Sequence, residues 1–503
     1  MAGWQMAQHA ISEISALSEK GSDSVRPPES DAHVPLVVDL DGTLVKTDLL
    51  VECLVSLLKD WPRYLFALPS WLLLGKAAFK QRIAHRVSFD PRLIPYRSEF
   101  VEYLKKKRAH GRSIVLATGN DERLAQHVAD HLKLFDSILA SDGSVNLSGE
   151  RKRERLVSRF GEKGFDYAAN AKCDMVVWSS ARKAVVVNQS PQFAKAVGKV
   201  TKVEDTFEGR RAGWTDYLSA LRPRHWLKNL LVFVPLVATH GFHQVTLLEK
   251  TLTAFIAFCC CASSGYLFND AVDLSVDRRH PQKRMRPFAA GRLPLRDALI
   301  MIPALVVLGC ALSLSVSRLF LGVVLLYYAL TLTYSLRIKR IVLLDVIVLA
   351  GLYTLRIVAG SAAIAVWPSE WILAFSPFLF LSLAFVKRYS ELVILRNSDG
   401  NQARARDYEV SDAELLATNG TVSGYVAVLV LALYITSRTA KVSYGRHDLL
   451  WFLCPLLLYW LTHIWLVAHR GRMLEEPLVF ALRDWTSRLL IVLMMVTALL
   501  AAA

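Results

Sequence analysis

The stretch N-D-A-V-D-L-S-V-D, Asn269–Asp277, stands at the end of an apolar run long enough to cross a membrane. A second acidic stretch, V-V-D-L-D-G-T at Val37–Thr43, follows a short apolar strand in a segment of soluble character. Carboxylates grouped in this way suit Mg²⁺, and a magnesium site points to a phosphate-bearing substrate. The two stretches therefore predict two phosphate-handling catalysts on one chain, one in water and one in a bilayer.

Composition separates the chain into two parts. At 503 residues it is too long for one ordinary domain, and its mean hydropathy of +0.31 is unevenly distributed. Residues 1–215 alternate charge with short apolar runs, whereas long apolar stretches dominate from about Leu227 onward, as spanning helices require. We expect a flexible tail without a signal peptide over residues 1–33, a soluble domain over 34–205, a linker over 206–220 and a membrane domain over 221–503.

The formal net charge of +16 points to a negatively charged binding partner, either nucleic acid or anionic lipid. Its basic residues concentrate in loops between the apolar stretches, and no recognition helix or aromatic–basic platform accompanies them. Nucleic acid is therefore excluded as a partner, and anionic lipid is the expected counterpart. The seven cysteines have no spacing pattern, so we interpret them as reduced apolar residues.

Strand and helix patterns alternate in the soluble part. Pro35–Leu40 and Arg112–Ala117 have the composition of buried strands, and Glu122–Lys133 has that of a helix. Asp174–Val177 and Ala184–Val187 are further strand candidates. This alternation predicts a parallel α/β sheet of Rossmann-like type, with its ligand at the carboxyl ends of the strands.

Polar residues follow two of these strands. Asp39 and Asp41 stand at a strand end with one residue between them, so both are able to turn toward one metal ion. One carboxylate is then placed to attack phosphorus, and the other to protonate the leaving oxygen and later activate water. Thr118 offers a hydroxyl to a phosphoryl oxygen, and Lys152 offers a positive charge. The alternatives are a solvated turn for the acids and a solvated basic run for Lys152.

The order of these motifs resembles the haloacid dehalogenase (HAD) phosphatase superfamily over residues 34–200: D-L-D-G-T, A-T-G-N, Lys152 and Asn170…Asp174. The resemblance implies a phosphatase in which Asp39 is the nucleophile and Asp41 the general acid and base. It also implies that Thr118 and Lys152 bind the phosphate. The Mg²⁺ ligands that it implies are Asp39, Asp41, Asn170 and Asp174.

One position departs from the superfamily. Ala169-Asn170 stands where Gly-Asp is usual. A neutral ligand binds Mg²⁺ more weakly than a carboxylate does. Reduced or lost phosphatase activity, with the domain acting as a regulatory module, is therefore an alternative.

Residues 49–92 are expected to form a small helical cap that covers the site and selects substrates. Leu49–Lys80 is rich in Leu, Trp and Phe and predicts a pair of helices. Its stripe L-F-A-L-P-S-W-L-L-L is too short to span a bilayer. The stripe belongs either to the core of the cap or to a surface that lies on the membrane.

The membrane part is predicted to be an all-α bundle of about nine transmembrane helices. If residue 215 and everything before it lie in the cytoplasm, the basic loops fall on the cytoplasmic side, as the positive-inside rule requires. We therefore expect a bacterial inner-membrane protein with the soluble domain and both active sites on the cytoplasmic side. The first span is short enough to be re-entrant. The candidate spans are residues 229–243, 249–271, 298–316, 318–335, 341–363, 371–387, 420–437, 449–468 and 486–503.

The acidic motif lies at this cytoplasmic boundary. Asp270, Asp273 and Asp277 are spaced by three and four residues, which places them on one face of a helix, and Asn269 adds a neutral oxygen. Three close carboxylates repel one another unless cations lie between them, and Mg²⁺ with a diphosphate resolves that repulsion. The alternative is a polar helix end in the membrane interface.

Further charged residues are candidates for binding the phosphates of a substrate, although a solvated or headgroup-facing position is the alternative for each. Arg356 and Asp345 lie within the fifth span, where a buried charge is a functional candidate and a mutual structural pair is the alternative. The candidates in loops or at span ends are Lys228, Lys283, Arg284, Arg286, Lys387, Arg388 and Glu391.

N-D-x-x-D-x-x-x-D with nine spans resembles the UbiA family of intramembrane prenyltransferases over residues 215–503. The resemblance implies that the acids hold Mg²⁺, which grips a diphosphate and promotes its departure. A second aspartate-rich motif normally follows the sixth span. The segment Lys387–Glu391, K-R-Y-S-E, stands there instead, which argues against ordinary aromatic prenylation.

This altered motif resembles the polyprenyl-phosphate phosphoribosyltransferase branch of that family, as do L-R-P-R-H-W-L-K-N and E-E-P-L-V-F-A-L-R-D. The branch implies that the diphosphate belongs to phosphoribosyl pyrophosphate (PRPP) and that a polyprenyl (decaprenyl) phosphate attacks its anomeric carbon. The transfer leaves a 5-phosphate monoester, which is the kind of group that a HAD phosphatase removes. We therefore expect a bifunctional enzyme with Mg²⁺ in both domains. The alternatives are an aromatic prenyltransferase and a transferase with an inactive, regulatory HAD domain.

Overall fold

The computed structural model describes residues 33–209, 212–399, 404–405, 407–473 and 475–502. The expected N-terminal tail, apart from its last residue, lies outside these ranges. Two compact units are present. The first comprises the residues up to Ala212 with Ala289–Leu295, and the second comprises Gly213–Phe288 with the residues from Arg296 onward.

A six-stranded parallel sheet forms the centre of the first unit. Val37 in the first strand pairs with Val115 on one side and Tyr167 on the other. The spatial order β3-β2-β1-β4-β5-β6 shows that the chain builds outward from β1 in both directions, and ligands of such sheets bind at the strand carboxyl ends near this reversal. The predicted parallel α/β fold is confirmed. The strands are β1 (Leu36–Val38), β2 (Ile114–Asp121), β3 (Ser137–Ser141), β4 (Asp166–Ala169), β5 (Lys183–Gln189) and β6 (Lys202–Glu208).

Both faces of this sheet are buried. Leu36 and Val38 belong to one apolar cluster and Val37 to another, because successive side chains of a strand point to opposite faces. A third cluster holds the cap together and includes the buried Trp71. The helices are α1 (Leu49–Asp60), α2 (Leu68–Leu73), α3 (Lys76–Ala84), α4 (Ser98–Ala109), α5 (Glu122–Leu132), α6 (Glu150–Phe160), α7 (Met175–Ser180) and α8 (Pro191–Gly198).

One strand prediction in this unit was wrong. A 3-10 turn over Lys172–Asp174 leads directly into α7, where the sequence predicted a strand at Asp174–Val177. The carboxylate of Asp174 accepts a hydrogen bond from the backbone N–H of Ala171 at 3.0 Å, which favours a helix start over an extended chain. The strand of this region is β4, which ends before the turn.

The second unit is helical. Its first helix begins at Trp214, so the expected linker over residues 206–220 contains the end of β6 and most of this helix. The helices are α9 (Trp214–Leu221), α10 (Val234–Ala238), α11 (Val245–Val272), α12 (Leu274–Arg279), α13 (Leu295–Val316), α14 (Arg318–Leu336), α15 (Leu344–Ala363), α16 (Glu370–Asp399), α17 (Ala413–Thr436), α18 (Arg438–Ser443), α19 (Leu453–His469), α20 (Pro477–Arg483) and α21 (Trp485–Ala502).

Seven helices among the described residues are long and apolar enough to cross a membrane, which makes this unit a membrane domain. The predicted span over residues 229–243 consists of 3-10 turns over Pro223–Phe233 followed by the short α10. The predicted sixth span lies within the 30-residue α16, which is not one of the seven. The total of nine spans stays a prediction. The seven segments are Val245–Val272, Leu295–Val316, Arg318–Leu336, Leu344–Ala363, Val410–Thr436, His447–His469 and Trp485–Ala502.

Candidate active sites

The first acidic stretch lies at the carboxyl end of β1, in the middle of the sheet. Asp39 is buried, and its carboxylate forms an ion pair at 2.7 Å with Lys152, a buried residue of α6. Thr43 donates its hydroxyl to Asp39 and to the amide oxygen of Asn170, each at 3.3 Å. The structure thus brings together residues that the sequence predicted to form one site. They come from the end of β1, from α6 and from the end of β4.

Gly42 makes the turn between Asp41 and Thr43. Its φ of +72° lies in the left-handed region, and a Cβ at this position would lie 2.2 Å from the amide nitrogen of Asn170. Any other residue would therefore be strained and would displace a candidate metal ligand. This close approach explains the glycine of D-L-D-G-T.

Asp41 is held by two donors. The side-chain amide of Asn120 donates to it at 2.8 Å and the backbone N–H of Leu49 donates at 3.2 Å. Burial, together with the charges of Asp48 and Asp39, raises the pKa of Asp41 to about 8. The carboxyl is therefore mostly protonated at neutral pH, as a general acid must be. Sequence reasoning missed Asn120, although it is the last residue of the A-T-G-N motif.

A buried tyrosine connects the lysine to the last acid of the site. The hydroxyl of Tyr167 accepts a hydrogen bond from Lys152 at 3.1 Å and donates one to Asp174 at 2.9 Å. Burial and the charge of Asp39 raise the pKa of Asp174 to about 6. Burial alone would lower the pKa of Lys152, but Asp39 and Asp174 raise it. Tyr167 was not predicted, because an aromatic residue on a buried strand ordinarily indicates packing.

Thr118 and a cap lysine lie at the end of β2. Thr118 is buried, and its hydroxyl accepts a hydrogen bond from the backbone N–H of Asn120 at 3.1 Å. Lys80, from α3 of the cap, donates to the carbonyl of Gly119 at 2.5 Å and to the side chain of Asn146 at 2.9 Å. The structure therefore adds a second lysine to this edge of the sheet, and no sequence motif marked it.

The second acidic stretch lies where α11 ends. The sequence predicted that its three aspartates share one face of a helix, and the structure interrupts that helix at Asp273, since α11 stops at Val272 and α12 begins at Leu274. Asp273 forms the junction, with φ −95° and ψ 16°. It contacts Lys339, whose ammonium group also lies 3.2 Å from the side-chain oxygen of Asn269.

Asp270 and Asp277 share one guanidinium group. Nη1 of Arg286 lies 3.1 Å from Asp270 and 2.5 Å from Asp277. Arg222 forms a second ion pair with Asp270. Oδ2 of Asp270 is buried and has no hydrogen-bond partner among the described residues. Burial raises the pKa of Asp277, although Arg286 acts in the opposite direction.

A second group of cations surrounds Glu476. Lys228 forms an ion pair with it, and Lys387 forms another at 2.7 Å. The ring of His225 lies 3.7 Å from the same carboxylate. Glu476 was not singled out from the sequence, although it belongs to the segment E-E-P-L-V-F-A-L-R-D.

Arg388 is paired with two acids. Its guanidinium contacts Asp345 at 2.5 Å and Glu391 at 2.7 Å, and it donates to Tyr334 at 2.8 Å. Asp345 therefore pairs with Arg388, and the alternative of a mutual pair with Arg356 is excluded.

Arg356 has neutral partners instead. It donates to the side chain of Asn229 at 3.0 Å, to the hydroxyl of Tyr327 at 2.8 Å and to the carbonyl of Leu352 at 2.5 Å. Of the three basic residues predicted in the loop after α12, Arg286 binds the two aspartates, Lys283 is half-buried and Arg284 is exposed.

The donor atoms of both acidic groups fit a hard divalent cation. Carboxylate and amide oxygens are the ligands that Mg²⁺ prefers. In the first unit burial and the charge of Asp39 raise the pKa of two neighbouring carboxyls, and in the second Asp270 has a buried oxygen without a hydrogen-bond partner in the part of the chain that the structure describes. Among the described residues, no three His, Cys, Asp or Glu side chains form a ready-made metal cage, because basic residues interleave the acids.

Comparison with known proteins assigns the second unit. The sequence profile of the UbiA prenyltransferase family matches residues 230–501, so the chain belongs to that family. With its seven apolar helices it is a multi-pass membrane protein.

Three relatives extend this assignment. The decaprenyl-phosphate phosphoribosyltransferase of Mycolicibacterium smegmatis is 30% identical over 53% of this chain and 86% of its own length. Nodulation protein NoeC of Azorhizobium caulinodans is 36% identical over 54% of this chain and 88% of its own length. The uncharacterized protein y4nM of Sinorhizobium fredii is 35% identical over 91% of this chain and 89% of its own length, so that similarity extends into the first unit.

Among solved structures, a UbiA homolog from Archaeoglobus fulgidus bound to GPP and Mg²⁺ covers 56% of this chain and 99% of its own chain. Its sequence identity is 19% and the TM-score is 0.44.

Proposed function

We propose that this chain transfers the 5-phosphoribosyl group of PRPP to a polyprenyl phosphate and then hydrolyses the 5-phosphate of the product. The observation that carries the proposal is the pair Asp270 and Asp277, held by Arg286, with a buried carboxylate oxygen that lacks a hydrogen-bond partner among the described residues. The name of the decaprenyl-phosphate phosphoribosyltransferase from Mycolicibacterium smegmatis supports the choice of the acceptor and of the transferred phosphoribosyl group.

In the transfer step, Asp270 and Asp277, with Asp273 and Asn269 beside them, would hold Mg²⁺. When bound there, the ion would supply positive charge that neutralises the diphosphate and makes it a better leaving group. An oxygen of the lipid monophosphate attacks the anomeric carbon of the ribose. The bond from that carbon to the pyrophosphate oxygen breaks, and pyrophosphate leaves with the electron pair. Arg286 lies beside two of the acids and is placed to bind the negatively charged pyrophosphate as it leaves.

The other cations serve the monophosphates of donor and acceptor. Arg356 is buried and donates its hydrogen bonds to neutral groups. Its positive charge is therefore available to bind a phosphate. Lys228 and Lys387 share Glu476, and an incoming phosphate replaces part of that pairing. Three further proposed ligand contacts are Lys283, Arg284 and Glu391. Arg388 is committed to two acids and positions Glu391.

In the phosphatase step, an oxygen of Asp39 attacks the phosphorus of the 5-phosphate. The bond from phosphorus to the ribose oxygen breaks, and Asp41 supplies the proton that this oxygen takes up. Water then attacks the phosphorus of the aspartyl phosphate while Asp41 accepts its proton; the bond from phosphorus to the Asp39 oxygen breaks, which restores the Asp39 carboxylate and releases inorganic phosphate. Lys152 pairs with the nucleophile at 2.7 Å and orients its carboxylate, and Thr118 binds a phosphoryl oxygen. Asp39, Asn170 and Asp174 would hold the Mg²⁺ that would neutralise the phosphoryl oxygens, and Asp41, predicted as a fourth ligand, would border the ion in its protonated form.

The same proposal also predicts the side of the membrane on which the two reactions take place. PRPP is a water-soluble, charged donor, so both reactions belong on the cytoplasmic side of a bacterial inner membrane. The basic loops that follow α11 and α14 support this orientation by the positive-inside rule. Labelling of Arg284→Cys from one side of sealed inverted vesicles tests it.

The full chain, purified and supplied with Mg²⁺, labelled PRPP and decaprenyl phosphate, tests the activity. We expect a labelled ribolipid without its 5-phosphate. Asp270→Asn should abolish ribolipid formation, and Asp39→Asn should let phosphoribosyl lipid accumulate. Asp448→Asn, at a side chain that is 87% exposed, is the matched control and should behave as the parent. No ribolipid from the parent chain would reject the proposal.

One observation favours a second candidate for the first unit. Asn170 offers a neutral oxygen where the HAD superfamily has a carboxylate, which weakens the proposed Mg²⁺ site. If the parent chain accumulates phosphoribosyl lipid, the first unit is a regulatory module and only the transferase proposal stands. Prenylation of an aromatic acceptor from a polyprenyl diphosphate, without use of PRPP, would indicate the aromatic prenyltransferase instead.

A further inference from the structure

The cap of the first unit carries an apolar surface that neither its own core nor the proposed chemistry uses. Phe66 and Leu73 have 87% and 89% of their surface exposed. Trp71, between them in the chain, is buried against the cap core, so the inner face of α2 is packed and its outer face is in solvent. We call the outer face the cap ridge; its exposed residues are Trp61, Leu65, Phe66, Leu72, Leu73 and Leu74.

Basic side chains border the cap ridge. The guanidinium of Arg63 lies 4.9 Å from the ring centre of Trp61, and that of Arg86 lies 4.9 Å from the ring centre of Trp71. Both arginines and Lys76 are exposed. Residues 59–86 contain six Lys and Arg against one acid, Asp60. Leucine and aromatic side chains edged by cations are typical of a surface that lies in the interface of an anionic bilayer.

We infer that the cap ridge inserts into the boundary between headgroups and acyl chains of an anionic lipid bilayer. A bilayer is always within reach, because the spanning helices of the same chain lie in one. The ridge is too short to cross the membrane, so it lies in the plane of the interface. The cations then contact lipid phosphates while Phe66 and Leu73 enter the acyl region. Lipid contact of this kind does not depend on either proposed reaction.

Fluorescence quenching in nanodiscs tests the inference on the full chain. The parent carries Cys173→Ser, which removes the exposed native cysteine, and its residual labelling gives the background. An environment-sensitive fluorophore is attached at Phe66→Cys, at Leu73→Cys or at the control Val200→Cys, which is exposed in the same unit but outside the cap. The discs contain phosphatidylcholine and phosphatidylglycerol, with or without lipid that carries a nitroxide on its acyl chain.

We expect nitroxide lipid to reduce the emission at positions 66 and 73 at least twofold and to leave position 200 nearly unchanged. Replacing phosphatidylglycerol by phosphatidylcholine should weaken the quenching at both ridge positions. A Phe66→Asp substitution, at a side chain that packs little, should halve the quenching at position 73. Equal quenching at all three positions overturns the inference. So does cross-linking between cap ridges of two copies, which would assign the surface to a second chain.

Discussion

Asp41 is a buried carboxyl with two acidic neighbours, Asp39 and Asp48, and its pKa is raised to about 8. A general acid works in its protonated form, so the proposed phosphatase should be fully active below this pKa and lose activity as the pH rises through about 8. Above it, the rate of phosphoester cleavage should fall about tenfold per pH unit. The profile is measured as phosphate release from phosphoribosyl lipid at saturating Mg²⁺.

Asp41→Asn supplies the control for this profile. It removes the titrating group, and cleavage should drop to a low rate that no longer depends on pH in this range. A rate that still rises between pH 8 and pH 9 in the parent chain would assign another role to Asp41.

Asn170 permits a charge change at the proposed metal site. Its amide oxygen shares the hydroxyl proton of Thr43 with Asp39, so an aspartate at this position would face the same region. Asn170→Asp should lower the Mg²⁺ concentration for half-maximal phosphatase activity about tenfold, because ligand charge sets affinity for hard cations. Asn170→Ala should raise it. Magnesium titrations of both variants measure the shift.

Gln192→Glu is the matched control for Asn170→Asp. Gln192 is exposed in the same unit, and the substitution makes the same change in charge. An equal shift in both variants would show that overall charge, and not metal ligation, sets the magnesium requirement.

The junction between α11 and α12 is the element on which the transfer site depends. Asp273 stands at the break between the two helices and contacts Lys339, whereas Asp270 and Asp277 contact Arg286. Arg286, from the loop after α12, holds the remaining pair. The site is thus assembled by a helix end, a short helix and a loop rather than by one helical face.

Arg286→Ala tests this assembly. The substitution leaves two neighbouring carboxylates, both of them buried, without their shared cation, and it removes a proposed donor to the departing pyrophosphate. We expect kcat/KM for PRPP to fall at least a hundredfold, which corresponds to about 3 kcal/mol. Arg296→Ala, at a side chain that is 77% exposed, should change it less than twofold. Ribolipid formation at varied PRPP measures both, and equal losses would contradict the assignment.

The elements differ in how well the sequence predicted them. β1, β2 and α5 follow from apolar runs and helical spacing, and D-L-D-G-T and A-T-G-N meet because parallel strands end at one edge. Lys152 lies on α6, and only the resemblance to a known superfamily predicted that it belongs to the same site. Tyr167, Lys80 and Glu476 were missed, since each acts through contacts with residues far away in the chain. The break at Asp273 was missed as well, because spacing by three and four residues indicates a helix regardless of where it ends.

At the scale of the whole chain, two catalysts are proposed to act in sequence. The relative y4nM is similar over nine-tenths of this chain, so the combination of the two parts is not peculiar to it. Transfer from PRPP makes a phosphate monoester, and the first unit is proposed to remove one. An aromatic prenyltransferase would leave the first unit without such a substrate.

Mixing two variants, each of which lacks one of the two proposed steps, tests this order. Asp270→Asn should make no ribolipid, because it cannot bind the leaving pyrophosphate, yet it keeps an intact first unit. Asp39→Asn should make phosphoribosyl lipid and stop there, because it lacks the nucleophile. In shared lipid vesicles the product of Asp39→Asn reaches the first unit of Asp270→Asn by diffusion in the bilayer, so the mixture should form dephosphorylated ribolipid that neither variant forms alone. Thin-layer separation of the labelled lipids with time measures it. If the mixture yields phosphoribosyl lipid alone, while the parent chain yields ribolipid, the two steps are not independent reactions of the two units.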